Sequence, residues 1–378
     1  MKEDSRVKSG DITPGEKLPW PMFDCEGRLL LKKGTVVTDI DQVNKLISRG
    51  LYRKQKIIKP SDGTEPEKLK KSNDTTSPFF AIDELIGHLS DVFASILAGT
   101  ENTENSVLRL CAHIQLLCKI DADAMIGSVH LQHARKYTLR HPVHVAILSE
   151  LVGARMGLST QVRASVLAAG LTANLSMIDL QEDLYYQETA PTPEQMQVIR
   201  NHPDESVRVL EKTGIRDNLW LEIIKQHHES VNSNGYPDAL KDDQICKEAQ
   251  LVSIADRYSA LVSARGYRDP RISGDTLKEF FMKKCEYCSE EMTLFFIKEM
   301  SIWPPGSIVL LANGEVAIVT KRSSQSMWPI VRSIIGPGGS PYAQPYKRDT
   351  SLEEYRIKSN MRIRRDMPLN LSRIWGYS

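Results

Sequence analysis

From residue 79 onward the apolar positions recur with the period of an α-helix. Phe79, Ile82, Leu85, Ile86, Leu89, Val92, Phe93 and Ile96 fall three and four residues apart, the spacing that puts one stripe against a core. Similar patterns predict helices near 103–119, 121–132, 138–156 and 160–172. Thr192-Pro193-Glu194-Gln195 places a capping hydroxyl, a proline at the first helical position and a glutamine at the third, so a helix should start there. Further helices are expected over 217–228 and 247–264. Between them, residues 230–238 are rich in Asn, Ser, Gly and Pro and read as a loop.

The two flanks follow other rules. Leu29-Leu30-Leu31 and Thr35-Val36-Val37 are short apolar runs around Gly34, and Asp39 stands where it can cap a helix carrying Ile40, Val43, Leu46 and Ile47. That combination predicts a small α/β unit over 1–58. Residues 59–78 lose their bulky apolar side chains and read as a linker. After Trp303-Pro304-Pro305-Gly306 the period becomes that of a strand. Residues 307–311 and 315–319 flank Ala312-Asn313-Gly314, and Asn-Gly suits a tight primed hairpin turn. Residues 328–331 offer a third strand. The expected architecture is mainly α: a helical bundle over 79–300, with the α/β unit before it and a small β hairpin or sheet over 301–378.

Composition narrows the function classes. The formal net charge is +1, so no global field points to nucleic acid or a membrane surface. The basic tail, with Arg362, Arg364 and Arg365, reads as solvated surface. No apolar run approaches the roughly 20 residues that span a bilayer, and the first residues lack the apolar core of a secretory signal. A cytoplasmic location is expected, with reduced thiols. Cys285 and Cys288 form a lone C-x-x-C and read as bystanders.

The candidate chemistry lies in histidines carried by different predicted helices. His141, His202, the adjacent His227 and His228, and Asp256 are residue types from which a helical bundle builds a metal site. Their surroundings carry a resemblance. His227-His228-Glu229 followed by Asn234-Gly235-Tyr236-Pro237 resembles the signature of the HD-GYP domains. Residues 137–146 resemble the helix with that family's first histidine ligand, and Asn201-His202-Pro203 resembles its later His-Pro element. Ala255-Asp256-Arg257-Tyr258, then Arg265-Gly266-Tyr267-Arg268, resemble its aspartate helix and the segment after it. The resemblance implies an HD-type helical fold and a metal-dependent phosphodiesterase ancestry directed at cyclic di-GMP. It also implies a bacterial signalling setting.

The departures fall on the chemistry. Where the family carries its His-Asp pair, this chain has Thr172 and Ala173, and Ser176 stands at the lysine position. Tyr137 replaces an acidic ligand common in the family, and Ser230 and Asn232 replace the Arg and Asp that follow the His-His-Glu element. Two dications about 3.5–4 Å apart repel by roughly 17 kcal/mol at an effective dielectric near 20. The bridging carboxylate that offsets this has no counterpart in Ala173.

His141, His202, His227, His228 and Asp256 are therefore expected to hold at most one divalent transition metal, iron or manganese. No residue is assigned a catalytic role. Arg265 and Arg268 are candidates for pairing with the phosphates of cyclic di-GMP. Gly235, Tyr236 and Pro237 are candidates for docking a diguanylate-cyclase-type or other signalling partner. The expected function is that of a catalytically degenerate sensor, scaffold or regulator. The alternatives are a metal-dependent phosphohydrolase on an altered site, drawing on Asp179, Glu182 or Asp183, and a purely structural interaction protein.

Overall fold

The computed structural model describes residues 77–263, 287–323, 327–361 and 369–377, with 4–6, 17–18, 21–23, 29–37, 52–54 and 60 before them. Ten of the helices build or cover the bundle: α1 (Pro78–Leu97), α2 (Glu104–Ile120), α3 (Ala122–Leu131), α4 (Tyr137–Arg155), α5 (Thr160–Thr172), α6 (Ile178–Tyr186), α7 (Pro193–Lys212), α8 (Asn218–Gln226), α9 (Lys247–Val262) and α10 (Glu290–Met300). The stripe predicted for α1 is the one it buries. Thr192 and Gln195 exchange the hydrogen bonds of a capping box at the start of α7, and Asp217 caps α8 by accepting from the Trp220 amide at 3.0 Å.

Burial explains which helix sits at the centre. α4 hides nearly every residue from Tyr137 to Gly153, and the second half of α5 is equally enclosed. A helix covered on all sides is a core element rather than a wall. α9 packs against α4 and runs Leu251, Val252, Ile254, Ala255 and Tyr258 into the same core. α6 is the opposite case, with no buried residue.

The amino-terminal segments form a four-stranded sheet of order β1-β4-β2-β3, from β1 (Asp4–Arg6), β2 (Met22–Phe23), β3 (Leu29–Leu31) and β4 (Tyr52–Lys54). The helix expected over 40–47 and most of the expected linker lie outside the described residues. At the other end, β5 (Ile308–Leu311), β6 (Val316–Lys321), β7 (Ile330–Ile335), β8 (Pro341–Asp349) and β9 (Ile357–Asn360) make an antiparallel sheet of order β8-β7-β6-β5-β9. The β5–β6 connection is not the two-residue primed turn that Asn-Gly suggests. Gly314 alone takes positive φ, at 86°, and Leu311 bonds to Glu315 across a three-residue loop. Asn313 stays in ordinary backbone space because its side chain accepts from the Glu315 amide at 3.1 Å.

The sheet is fastened to the bundle by specific groups. Arg322 pairs with Asp123 of α3 and Glu299 of α10, both at 2.5 Å. The short closing helix α11 (Leu371–Trp375) sets Trp375 edge-on to Phe79 with centroids 5.0 Å apart. Gly127 makes that possible, since a Cβ there would lie 2.3 Å from the Trp375 ring. His130, fully buried on α3, completes the joint. Its Nδ1 lies 2.5 Å from the Pro305 carbonyl oxygen and its Nε2 lies 2.8 Å from the Tyr258 hydroxyl. A carbonyl only accepts, so Nδ1 carries the proton and Nε2 accepts from Tyr258. Burial keeps this ring neutral, with a pKa lowered to about 4.

Candidate metal centre

α7 and the carboxyl end of α8 bring His202, His227 and His228 together, with one ring nitrogen of each lying within 4.8 Å of the others. His202 sits inside α7 directly before Pro203, a proline in the helix interior. Proline has no amide hydrogen, so the Ile199 carbonyl, four residues back, receives no helical bond from it. The His202 ring takes that place, with Nδ1 2.6 Å from the Ile199 oxygen. His227 reaches the same state by another route. It caps the carboxyl end of α8, where carbonyls run out of helical donors, and its Nδ1 lies 2.6 Å from the Ile224 oxygen.

Each ring therefore donates through Nδ1 and presents a bare Nε2. Those two Nε2 atoms face each other at 3.3 Å. Two lone pairs at that distance repel unless a cation lies between them. A shared proton is disfavoured, because burial lowers the His202 pKa to about 3 and also lowers that of His227. Imidazole nitrogens about 2.0–2.1 Å from a tetrahedral ion stand roughly 3.3 Å apart, so the pair fits a transition metal. His228, half-buried, is also held neutral by burial, with His227 and His202 too close for several of the rings to carry charge together. The donor set suits a divalent metal, and the two carbonyls supply the outer support that fixes ligand tautomers.

His141 and Asp256 stand beside this trio but pair with one another. His141 Nε2 donates to Asp256 Oδ1 at 2.8 Å, and its Nδ1 accepts from the Ser259 hydroxyl at 3.0 Å. Burial pushes the Asp256 carboxyl upward, but the hydrogen bond from His141, with the His228 and His227 imidazoles gathered around the carboxylate, outweighs it and holds the group well below the usual range. Tyr137 stacks on His141 with centroids 5.0 Å apart, and Tyr185 stacks on Tyr137 at 5.1 Å.

The segment that the resemblance sets against the family's His-Asp pair is closely packed. Thr172 accepts from the indole N–H of fully buried Trp220 at 2.9 Å and donates to the Ala168 carbonyl at 2.7 Å. Ala173 is buried. Ser176 donates to the His202 carbonyl at 3.0 Å. These three side chains are thus built into the packing around the histidines.

The Gly-Tyr-Pro loop lies against the trio. Tyr236 stacks on His228 with centroids 4.8 Å apart, and its amide donates to the His228 carbonyl. Glu229, buried, accepts from the amides of Asp238 and Leu240 at 2.6 and 2.9 Å and so draws the loop inward. Gly235 is required by contact, since a Cβ would lie 2.5 Å from Glu229 Cα and from the Ser230 nitrogen. Arg265, Arg268 and Cys285 lie outside the described residues. Sequence reading did not find the Trp220, Ser259 or Tyr236 contacts; only the Gly-Tyr-Pro motif marked any of them.

Residues 124–281 match the family model described as HD domain. Over 208 residues the chain is 24% identical to a cyclic di-GMP phosphodiesterase of Pseudomonas aeruginosa, covering 54% of this chain and 49% of that protein. It is 24% identical over 203 residues to the cyclic di-GMP phosphodiesterase PdeB of Borreliella burgdorferi, covering 53% of each. The chain spans about half the length of these curated relatives. Among solved structures, an HDG"Y"P protein from Bdellovibrio bacteriovorus superposes with a TM-score of 0.51 at 15% identity, covering 78% of this chain and 98% of that one. That likeness is one of fold.

Proposed function

We propose that this HD-domain chain is a regulator in cyclic-di-GMP-linked signalling that binds one divalent transition metal at His202, His227 and His228 and does not carry out two-metal phosphodiester hydrolysis. One observation carries the reading. The opposed Nε2 atoms of His202 and His227 are poised for a cation, whereas Thr172 and Ala173, at the places of the missing dyad, are committed to packing and to the Trp220 indole. When bound, a metal would supply Lewis acidity toward a phosphate oxygen. Iron or manganese is the class suited to this set with Asp256 and His141 alongside. The protein's own groups fix the imidazole tautomers, exclude solvent from His202 and His227, and hold the Gly-Tyr-Pro loop on His228.

Within this reading Arg265 and Arg268 serve the phosphates of cyclic di-GMP, and the Gly235-Tyr236-Pro237 loop docks a diguanylate-cyclase-type or other signalling partner in the cytoplasm. The stacking of Tyr236 on His228 supports this coupling, because a partner that moves the loop disturbs a ligand. No helix among the described residues is long and apolar enough to cross a membrane.

Metal content by plasma mass spectrometry, with a cyclic di-GMP hydrolysis assay and calorimetry, tests the proposal. One metal per chain and binding without turnover is the expected result; two metals with turnover would overturn it. The second reading, hydrolysis on a reduced site, is favoured by the names of the relatives. In that case α6 would contribute Glu182, which already accepts from Thr138 at 3.1 Å, or Asp179 or Asp183. Neither metal nor nucleotide binding would leave a purely structural interaction protein.

A further inference from the structure

Arg257 is the next residue after Asp256 on α9. Its guanidinium carbon sits 3.4 Å from the centroid of the Tyr287 ring, and its charge bears on His227, His228 and Tyr236. Among the described residues it forms no ion pair, and its Nε is buried without a hydrogen-bond partner. The neighbouring carboxylate, Asp256, is committed to His141 instead.

A buried guanidinium N–H is usually hydrogen-bonded, because a donor hidden from water without a partner is costly, and the rest of this half-buried group stays within reach of a ligand. Here burial keeps His202, His227 and His228 neutral, and a bound dication would add positive charge of the same sign as the guanidinium. Asp256 supplies one negative charge, held on His141, so a bound dication together with the guanidinium leaves the site net positive and open to a further anion. Stacking on Tyr287 covers one face of the guanidinium and leaves its in-plane N–H donors at the edge, the geometry with which arginine grips phosphate oxygens.

We propose that Arg257 forms an anion subsite beside the histidine trio and takes a phosphate group of a phosphodiester ligand, a cyclic dinucleotide, whose charge offsets both the guanidinium and the bound metal. The assignment rests on the one-metal reading for its ligand class. It differs from that reading in the residue and the contact it names.

The test is calorimetric titration of cyclic di-GMP, and separately of inorganic phosphate, into wild type and Arg257→Gln. Each protein is taken metal-loaded and metal-stripped, with metal content measured alongside. The loaded wild type should bind cyclic di-GMP. Arg257→Gln should keep its metal and bind about tenfold or more weakly, with partial recovery in Arg257→Lys, which restores charge without the fork. Tyr287→Ala, which removes the stacking partner and keeps the guanidinium, should lose less than Arg257→Gln. Equal affinities for wild type and Arg257→Gln would overturn the subsite, as would a wild type that binds neither probe. Binding of inorganic phosphate but not of cyclic di-GMP would overturn the phosphodiester assignment. Arg257-dependent binding in a chain that takes up no metal would sink the one-metal reading and leave the subsite standing.

Discussion

Pro203 decides which nitrogen His202 offers. By withholding an amide hydrogen from the Ile199 carbonyl, it leaves that oxygen for the imidazole Nδ1 at 2.6 Å and turns Nε2 toward His227. A residue usually regarded as a flaw in a helix interior here selects the tautomer of a ligand.

Replacing Pro203 with Ala restores the amide and sets it in competition with the ring for the same oxygen. Metal affinity should fall about 10–100-fold, the usual effect of losing an outer-shell partner, while the helix itself is not weakened. Competition against a chromophoric chelator measures this. An unchanged affinity would mean that the Ile199 carbonyl does not orient the ring.

The Thr172–Trp220 pair predicts a stability effect with its own control. Thr172→Val leaves a buried indole N–H without an acceptor and should cost about 1–3 kcal/mol. Adding an aromatic side chain without that donor, Trp220→Phe, should cost less in the Thr172→Val background than in wild type. Denaturant titration of the four proteins completes the cycle, and additive losses would count against the pairing.

Gly235→Ala forces a methyl group onto the backbone of Glu229 and Ser230, both 2.5 Å away. Backbone cannot swing aside as a long side chain does, so a loss of about 2 kcal/mol or more is expected. Metal affinity should fall with it, because Tyr236 would lift from His228. A lowered melting temperature with unaltered metal affinity would separate the loop from the site.

His130 predicts a pH dependence of stability. Its folded pKa is lowered to about 4 from the ordinary 6.5, so the unfolded chain binds this proton more readily. Stability from this group is complete above pH 6.5 and declines as pH falls toward 4. The total is on the order of 3 kcal/mol for this one group. His130→Gln can still donate to Pro305 and accept from Tyr258 but does not titrate. Over that interval it should lose less stability than wild type in chemical denaturation, the other buried histidines acting equally in both. Parallel profiles would refute the assignment.

Much of the helical core is legible because its signal is local. The eight apolar positions of α1 are spaced for one face and are buried, and the Thr192–Gln195 box is written in consecutive residues. α6 leaves no such trace, since a helix that buries nothing has no apolar stripe to betray it. β8 is hidden for a different reason. Pro341 and Pro345 argue against a strand, yet β8 lies at the sheet edge, where a missing amide donor is tolerated. The histidines were visible only through their neighbours in sequence. That His141 turns to Asp256 while His202 turns to His227 depends on contacts across 115 and 25 residues, beyond any local pattern.

The hydroxyl of Thr172 also bears on the substitutions open to this chain. An imidazole at 172 that bound a metal through one nitrogen would carry its proton on the other, leaving the Trp220 indole without the acceptor it now has, and would have to find room in a wall with no exposure. Installing a ligand there accordingly calls for a second change at Trp220, and the first step alone is a loss. Access to a ligand at this position is thus gated by a tryptophan that binds no metal.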